Sequence, residues 1–168
     1  PEAVAWVKPV PDPRRFGVVE LGKDGWVKRL IEKPDSMENN LVVVGFYYFQ
    51  RGEDLMAAIE EQMRRNLMLK EEYFLADAIN ILLEKDLRMS TTQVNIWLDA
   101  GTPESLLATN QYLLDNGLAS PLAEDTGGNT IIQPVFIHPS AKVEASVIGP
   151  HVSIAANCEI KRAIIHNS

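Results

Sequence analysis

The sequence predicts an α/β layer structure that gives way, in its last forty or so residues, to a β-helix. Three observations carry this. Strand-like and helix-like periodicities alternate along the first 118 residues. A continuous apolar run, LVVVGFYYF at residues 41–49, stands between them. From residue 131 onward aliphatic residues recur every six positions, a period of neither helix nor flat strand.

The elements follow in order. Ala3, Ala5 and Val7 alternate with Val4 and Trp6, which predicts a strand over 3–8. Pro9, Pro11 and Pro13 make the turn before a second strand over 16–21. Lys23-Asp24-Gly25 marks a hairpin, since Asp-Gly tolerates positive φ, and a return strand is expected over 26–32. The run at 41–49 predicts a strand buried on both faces. Leu55, Ile59 and Met63 recur every four residues in a helix over 53–65. A second helix is expected over 74–86, with Leu75, Ile79, Leu82 and Leu83 inward. Val94, Ile96 and Leu98 alternate with Asn95 and Trp97, which predicts a strand over 92–98. Thr102 as N-cap, Pro103 at the first helical position and Gly117 after Asn116 bound a third helix.

Residues 119–130 read as a linker. Beyond it come the segments IHPSAK, VEASV, IGPHVS, IAANCE and IKRAII. Ile148, Ile154 and Ile160 keep the six-residue period, as do Val152, Cys158 and Ile164. Five such faces predict fewer than two coils, with an exposed end.

Composition narrows the function classes. The 168 residues carry a formal net charge of −7, and a duplex-binding protein would show a basic excess instead. No apolar run approaches a membrane span. The single Cys158 makes no internal disulfide, which suits a reducing, cytoplasmic setting. The chain opens at Pro1 in a strand-like pattern and stops at Ser168 in a regular one, as expected of trimming or of the middle of a larger protein.

Three stretches concentrate candidate chemistry. Gly17 lies in a strand-forming run, where glycine marks either a bulge or a ligand's approach to the backbone. Glu32-Lys33-Pro34 ends the third strand; it is either a solvated charge pair or a hydroxyl acceptor beside a phosphate-binding ammonium, with Pro34 turning the chain. Asp99 stands where a strand is expected to end before a helix; it forms a turn or holds Mg²⁺ against phosphates. There is no G-x-x-x-x-G-K-[ST] or G-x-G-x-x-G loop and no Cys/His metal spacing.

These stretches, with the tail, resemble the sugar-1-phosphate nucleotidylyltransferases, nearest to the long-form glucose-1-phosphate thymidylyltransferases with a left-handed β-helix. The matching residues are DPRRFGVVE at 12–20, IEKP at 31–34, VVVGFYYF at 42–49, EEYFLADAIN at 71–80 and WLDAGTPESLLATN at 97–110. The resemblance implies a Rossmann-like mixed sheet and transfer of a nucleotidyl group, with dTTP as the expected donor, from a nucleoside triphosphate to a sugar 1-phosphate. It implies that the Gly17 backbone contacts the sugar, that Glu32 binds sugar hydroxyls and that Lys33 binds the sugar phosphate. Val43, Gly45 and Tyr47 would line the sugar pocket, and Asp99 would be one of two aspartates on Mg²⁺. Asp77 matches a recurrent acidic position. Ala100 and Val44 depart from the threonines common in relatives.

The family's Gly-rich loop, with the Arg and Lys that hold the triphosphate, is not among these residues. The expectation is therefore the sugar-binding half of a catalytic domain at 1–118, a linker at 119–130, and an incomplete β-helix at 131–168, inactive alone and homo-oligomeric. Two alternatives stand beside it. One is a non-catalytic, self-associating scaffold. The other is part of a bifunctional nucleotidyltransferase/acetyltransferase, in which His151 or His166 is either a base or a turn residue.

Overall fold

In a computed structural model that describes residues 1–121 and 128–168, the chain forms two compact units, Pro1–Trp97 and Leu98–Ser168. The division falls ahead of the third helix rather than at residue 118. Half of the expected linker, residues 122–127, lies outside the described residues.

The first unit is a five-stranded sheet with two helices. Its strands are β1 (Ala3–Pro9), β2 (Gly17–Leu21), β3 (Val27–Glu32), β4 (Leu41–Phe49) and β5 (Met89–Gln93), in the order β3-β2-β4-β1-β5. Only β1 and β5 pair in parallel, so the sheet is mixed. Alternation along β1 works as expected: Ala3, Ala5 and Val7 are buried, and they join Val19, Leu30, Ala76, Ile79 and Met89 in one core. The Asp24-Gly25 turn closes the β2–β3 hairpin with Gly25 at φ +81°.

Helix α1 (Gly52–Arg65) buries Ala58 and Gln62, and α2 (Leu75–Glu84) buries Ala76, Ala78, Ile79, Ile81 and Leu82. Small alanines at the contact let the two helices pack closely, and Ala58, Ala78, Ile81 and Leu82 form a second core. Met63 and Leu75, expected inward, are exposed at 56% and 39%. The four-residue spacing drifts around a 3.6-residue helix, and the buried stripe runs through Ala58 and Gln62 instead.

Two strand expectations need correction. The apolar run of β4 is not buried on both faces, because Phe46 and Tyr48 are exposed at 62% and 50%. Val43, Tyr47 and Phe49 pack on the first core. The last strand of this unit covers Met89–Gln93, not 92–98, and Ile96 is 59% exposed. Apolar–polar alternation continues past the end of the pairing, where Val94 N–H still reaches Val7 O at 2.9 Å and Lys8 Nζ donates to Asn95 O at 2.7 Å.

The second unit opens with α3 (Pro103–Leu113). Thr102 caps it in a reciprocal arrangement with Ser105, whose N–H donates to Thr102 Oγ1 at 3.2 Å while Thr102 N–H donates to Ser105 Oγ at 3.0 Å. A wider turn at Leu114–Leu118 follows, and Gly117 at φ +102° ends it.

Seven short strands then stack: β6 (Thr130–Ile131), β7 (Val135–Ile137), β8 (Lys142–Glu144), β9 (Val147–Ile148), β10 (Val152–Ile154), β11 (Glu159–Lys161) and β12 (Ile164–Ile165). β6, β9 and β12 share one face, β7 and β10 a second, and β8 and β11 a third, all in parallel. This is a three-faced coil that repeats every 17 residues, as the Ala163–Ser146 and Asn157–Ser140 bonds record. It comprises two turns and the first face of a third, more than the five faces the hexapeptides predicted.

The repeat is 17 because one corner in three is a residue short. That corner turns through Ala145 and Arg162, at φ +49° and +51°. VEASV is therefore the regular length for its face, and the second coil repeats it. The inward position after Ile160 is Ile165, while Ile164 is 79% exposed, contrary to the strict six-residue period. Val135, Ile148, Val152 and Ile154 fill the coil interior. Ser146 is buried with them; its hydroxyl donates to Glu144 O at 2.8 Å and accepts from Ala163 N–H at 3.1 Å.

Candidate functional site

In the first unit the ends of β2 and β3 and the middle of β4 bring the expected residues together. Gly17 pairs directly with Glu32 across the β2–β3 ladder. A Cβ at Gly17 would lie 3.0 Å from Glu32 Oε2 and 3.1 Å from the Val43 Cγ2 methyl. Glycine here keeps open a small concavity walled by Gly17, Glu32 and Val43.

β4 carries a bulge beside this concavity. Ala5 faces Tyr47 and Val7 faces Val43, so Trp6 alone stands opposite Val44, Gly45 and Phe46. Gly45 absorbs the extra residues at φ +81°. Val43 and Tyr47, on either side of the bulge, both face the core side of the sheet.

Glu32 ends β3 and Lys33 turns out of it. Lys33 itself adopts φ +45°, and its N–H donates to Phe16 O at 3.0 Å. The turn that Pro34 was expected to impose is thus made one residue earlier. The Lys33 ammonium lies over the Phe74 ring, 4.5 Å from its centroid.

Three acidic groups here are shifted in the same direction. Burial raises the Glu32 carboxyl above the ordinary carboxylate range; nearby Lys33 opposes this and Asp77 adds to it. Burial likewise raises Asp77, in the first turn of α2. The Tyr47 phenol is pushed up to about 12, by burial first and by the Glu32 charge second. The surroundings disfavour negative charge on the protein's own groups at this spot.

Tyr47 gives a measurable consequence. A phenol whose folded-state pKa lies above its unfolded value holds its proton longer in the native state. Its stabilising contribution is complete below the unfolded pKa and is lost as pH rises from about 10 toward 12. In a phenolate absorbance titration, one of the four tyrosines is expected to titrate last, near 12, and Tyr47→Phe should remove that phase. Loss of a different phase would refute the assignment.

Asp99 lies in the second unit, six residues beyond the end of β5, so it does not terminate a strand as expected. Its Oδ1 accepts from Gly101 N–H at 3.2 Å, and its carbonyl accepts from Thr109 Oγ1 at 2.7 Å. This turn fixes the carboxylate just ahead of α3. One carboxylate is a fraction of the six oxygens Mg²⁺ takes. Among the described residues no group of three or more His, Cys, Asp or Glu could hold a metal.

His151 lies at a corner of the coil. It sits at φ +57° in a turn, and its Nε2 lies 2.9 Å from Asp115 Oδ1. Asn110 adds bonds to His151 O at 3.4 Å and from Ser153 Oγ at 2.5 Å, which clamps α3 to β10. His166 is exposed, with Asn167 Nδ2 3.3 Å from its Nδ1.

Three residues outside the sequence-based candidates order the first unit. Asn80 donates to Leu30 O at 2.9 Å and accepts from Leu30 N–H at 2.8 Å. Buried Gln62 donates to Leu67 O at 3.2 Å and Phe74 O at 3.0 Å. Phe74 carries the Lys33 contact. The available signal was an amide on the buried face of each helix, Gln62 in α1 and Asn80 in α2, where an aliphatic residue would otherwise stand.

Comparison with known proteins decides the family. The profile described as nucleotidyl transferase matches residues 2–116. The chain belongs to the nucleotidyl transferase family. A glucose-1-phosphate thymidylyltransferase of Streptomyces griseus is 29% identical across 96% of this chain and 49% of its own length. A bifunctional sugar-1-phosphate nucleotidylyltransferase/acetyltransferase of Sulfurisphaera tokodaii is 29% identical across 85% of this chain and 34% of its own length. This member of the family spans about half the length, or less, of these curated relatives. The crystal structure of a nucleoside-diphosphate-sugar pyrophosphorylase from Vibrio cholerae superposes with a TM-score of 0.55 over 64% of this chain and 46% of that one, at 19% identity. That likeness supports the fold. No helix among the described residues is long and apolar enough to cross a membrane.

Proposed function

We propose that this chain supplies the sugar-1-phosphate side of a nucleotidyltransfer reaction. In that reaction a sugar phosphate oxygen attacks the α-phosphorus of a nucleoside triphosphate, and pyrophosphate leaves. The carrying observation is the Gly17 concavity, where an absent Cβ leaves room between Glu32 and Val43. In this reading Glu32 accepts bonds from sugar hydroxyls. The Gly17 backbone, Val43, Gly45 and Tyr47 hold the sugar ring, and Lys33 neutralises its phosphate. Glucose 1-phosphate as acceptor and dTTP as donor follow the Streptomyces relative's name.

Asp99 would provide one carboxylate to Mg²⁺. The bound ion would offset charge on the phosphates. The remaining ligands and the triphosphate clamp would come from chain outside these 168 residues, which contain no Gly-rich phosphate loop.

Two measurements test this together. Calorimetric titration should show that the chain binds glucose 1-phosphate and binds glucose more weakly. A pyrophosphate-release assay with dTTP, glucose 1-phosphate and Mg²⁺ should show no turnover by this polypeptide. Clear turnover would mean that the nucleotide is held by residues not identified above. Equal binding of glucose and glucose 1-phosphate would remove the phosphate from the reading.

A further inference from the structure

We propose that Phe74 is a positioning residue for the Lys33 ammonium, held in place by Gln62 and by the strained loop between α1 and α2. The proposal rests on the reading of Lys33 as the phosphate-binding group. Lys33 is exposed and follows the end of β3, so without a contact its four-carbon stem would sample many rotamers. The Phe74 ring 4.5 Å from Nζ restricts that freedom through cation–π attraction. One side of the ammonium then meets the ring, and its other N–H donors remain open to an anion.

The ring is itself fixed from behind. Phe74 immediately precedes α2, and its carbonyl accepts from Asp77 N–H at 3.1 Å and from Gln62 Nε2 at 3.0 Å. Gln62 is 2% exposed, so its amide is committed to these carbonyls. The connecting loop is a tight hairpin in which Leu69 and Glu72 exchange backbone bonds at 3.0 and 3.1 Å. Lys70 and Glu71 form its tip at φ +52° and +64°, a conformation that favours glycine or asparagine. Tyr73 Oη bonds Asn66 Oδ1 at 3.1 Å across the base of the loop. Two left-handed, non-glycine residues in a row persist only where the surroundings over-determine them. Here the over-determined outcome is the placement of Phe74.

The test uses the chain with Phe74→Leu, Phe74→Trp, Lys33→Ala and the Lys33→Ala/Phe74→Leu double variant, each checked for native circular dichroism. Glucose 1-phosphate and glucose are the probes. Phe74→Leu should weaken glucose 1-phosphate binding about two- to fivefold, the size of an exposed cation–π contact, and leave glucose binding unchanged. Phe74→Trp should restore it, and the double variant should bind no worse than Lys33→Ala. In NMR spectra the Lys33 ε-methylene protons should show an upfield ring-current shift that Phe74→Leu abolishes and Phe74→Trp keeps. Unchanged or tighter binding in Phe74→Leu, beside a clear loss in Lys33→Ala, would overturn the role of Phe74 alone. Unchanged binding in Lys33→Ala would overturn the reading of Lys33 and this proposal with it.

Discussion

Gly149→Ala is expected to collapse the coiled unit, with a loss of about 2–5 kcal/mol from left-handed strain and overpacking combined. Gly149 stands at φ +103°, where a Cβ is strained whatever its surroundings. In this structure that Cβ would lie 1.9 Å from Ile132 O and 2.7 Å from Val135 Cγ1. Neither atom can yield cheaply. The Ile132 N–H donates to Ile148 O at 2.8 Å, and Val135 is 1% exposed in the interior of the coil. Gly149 N–H also donates to Ile165 O at 2.9 Å, so moving the corner would disturb both neighbouring layers. Denaturant unfolding followed by circular dichroism, with amide NMR to locate the change, checks this. Resonances from 130–168 should lose dispersion. A variant as stable as the parent would mean that the corner is not packed as described.

Asn80→Ala is expected to destabilise the first unit by about 2–4 kcal/mol, from two lost hydrogen bonds and the penalty for leaving their partners unpaired. β3 is an edge strand of the sheet, and Leu30 within it is 2% exposed. Its N–H and C=O face no further strand. The Asn80 amide satisfies both, at 2.8 and 2.9 Å, as a neighbouring strand would. The pairing also holds β3 two residues before Glu32, so the effect reaches the candidate site. Asn80→Asp should be nearly as harmful, because a carboxylate cannot donate to Leu30 O. Chemical denaturation of the two variants beside the parent measures both effects. A loss below the usual cost of one hydrogen bond in Asn80→Ala would contradict the strand-mimic role.

Much of this architecture was legible in the residues, for reasons specific to each element. Period-2 alternation in β1, the Asp24-Gly25 turn and the Thr102-Pro103 cap are local signals, set by chemistry within a few residues. The failures are non-local. Apolar character alone predicts burial for Phe46 and Tyr48, whereas one face of β4 leaves them exposed in the described chain. Val94 and Ile96 alternate like a strand, yet pairing with β1 ends at Gln93. Ile164 keeps the six-residue period of Val152 and Cys158 in sequence, yet it is exposed, because the short corner recurs at the second left-handed residue, Arg162. At the site, glycine at Gly17 and the Glu32-Lys33 pair were visible as types, while their mutual approach depends on the β2–β3 register. Phe74 gave no signal of its role, because its contact with Lys33 joins residues far apart in the chain.

The most direct test of the central claim is the affinity of Lys33→Ala for glucose 1-phosphate relative to glucose. A charge-assisted hydrogen bond contributes roughly 1.5–3 kcal/mol, so the variant should bind glucose 1-phosphate about ten- to a hundredfold more weakly than the parent chain. Its affinity for glucose should be unchanged, since Glu32, Gly17 and Val43 are untouched. Equal affinity of the parent and Lys33→Ala for glucose 1-phosphate would contradict the assignment of this cluster as a sugar-phosphate site.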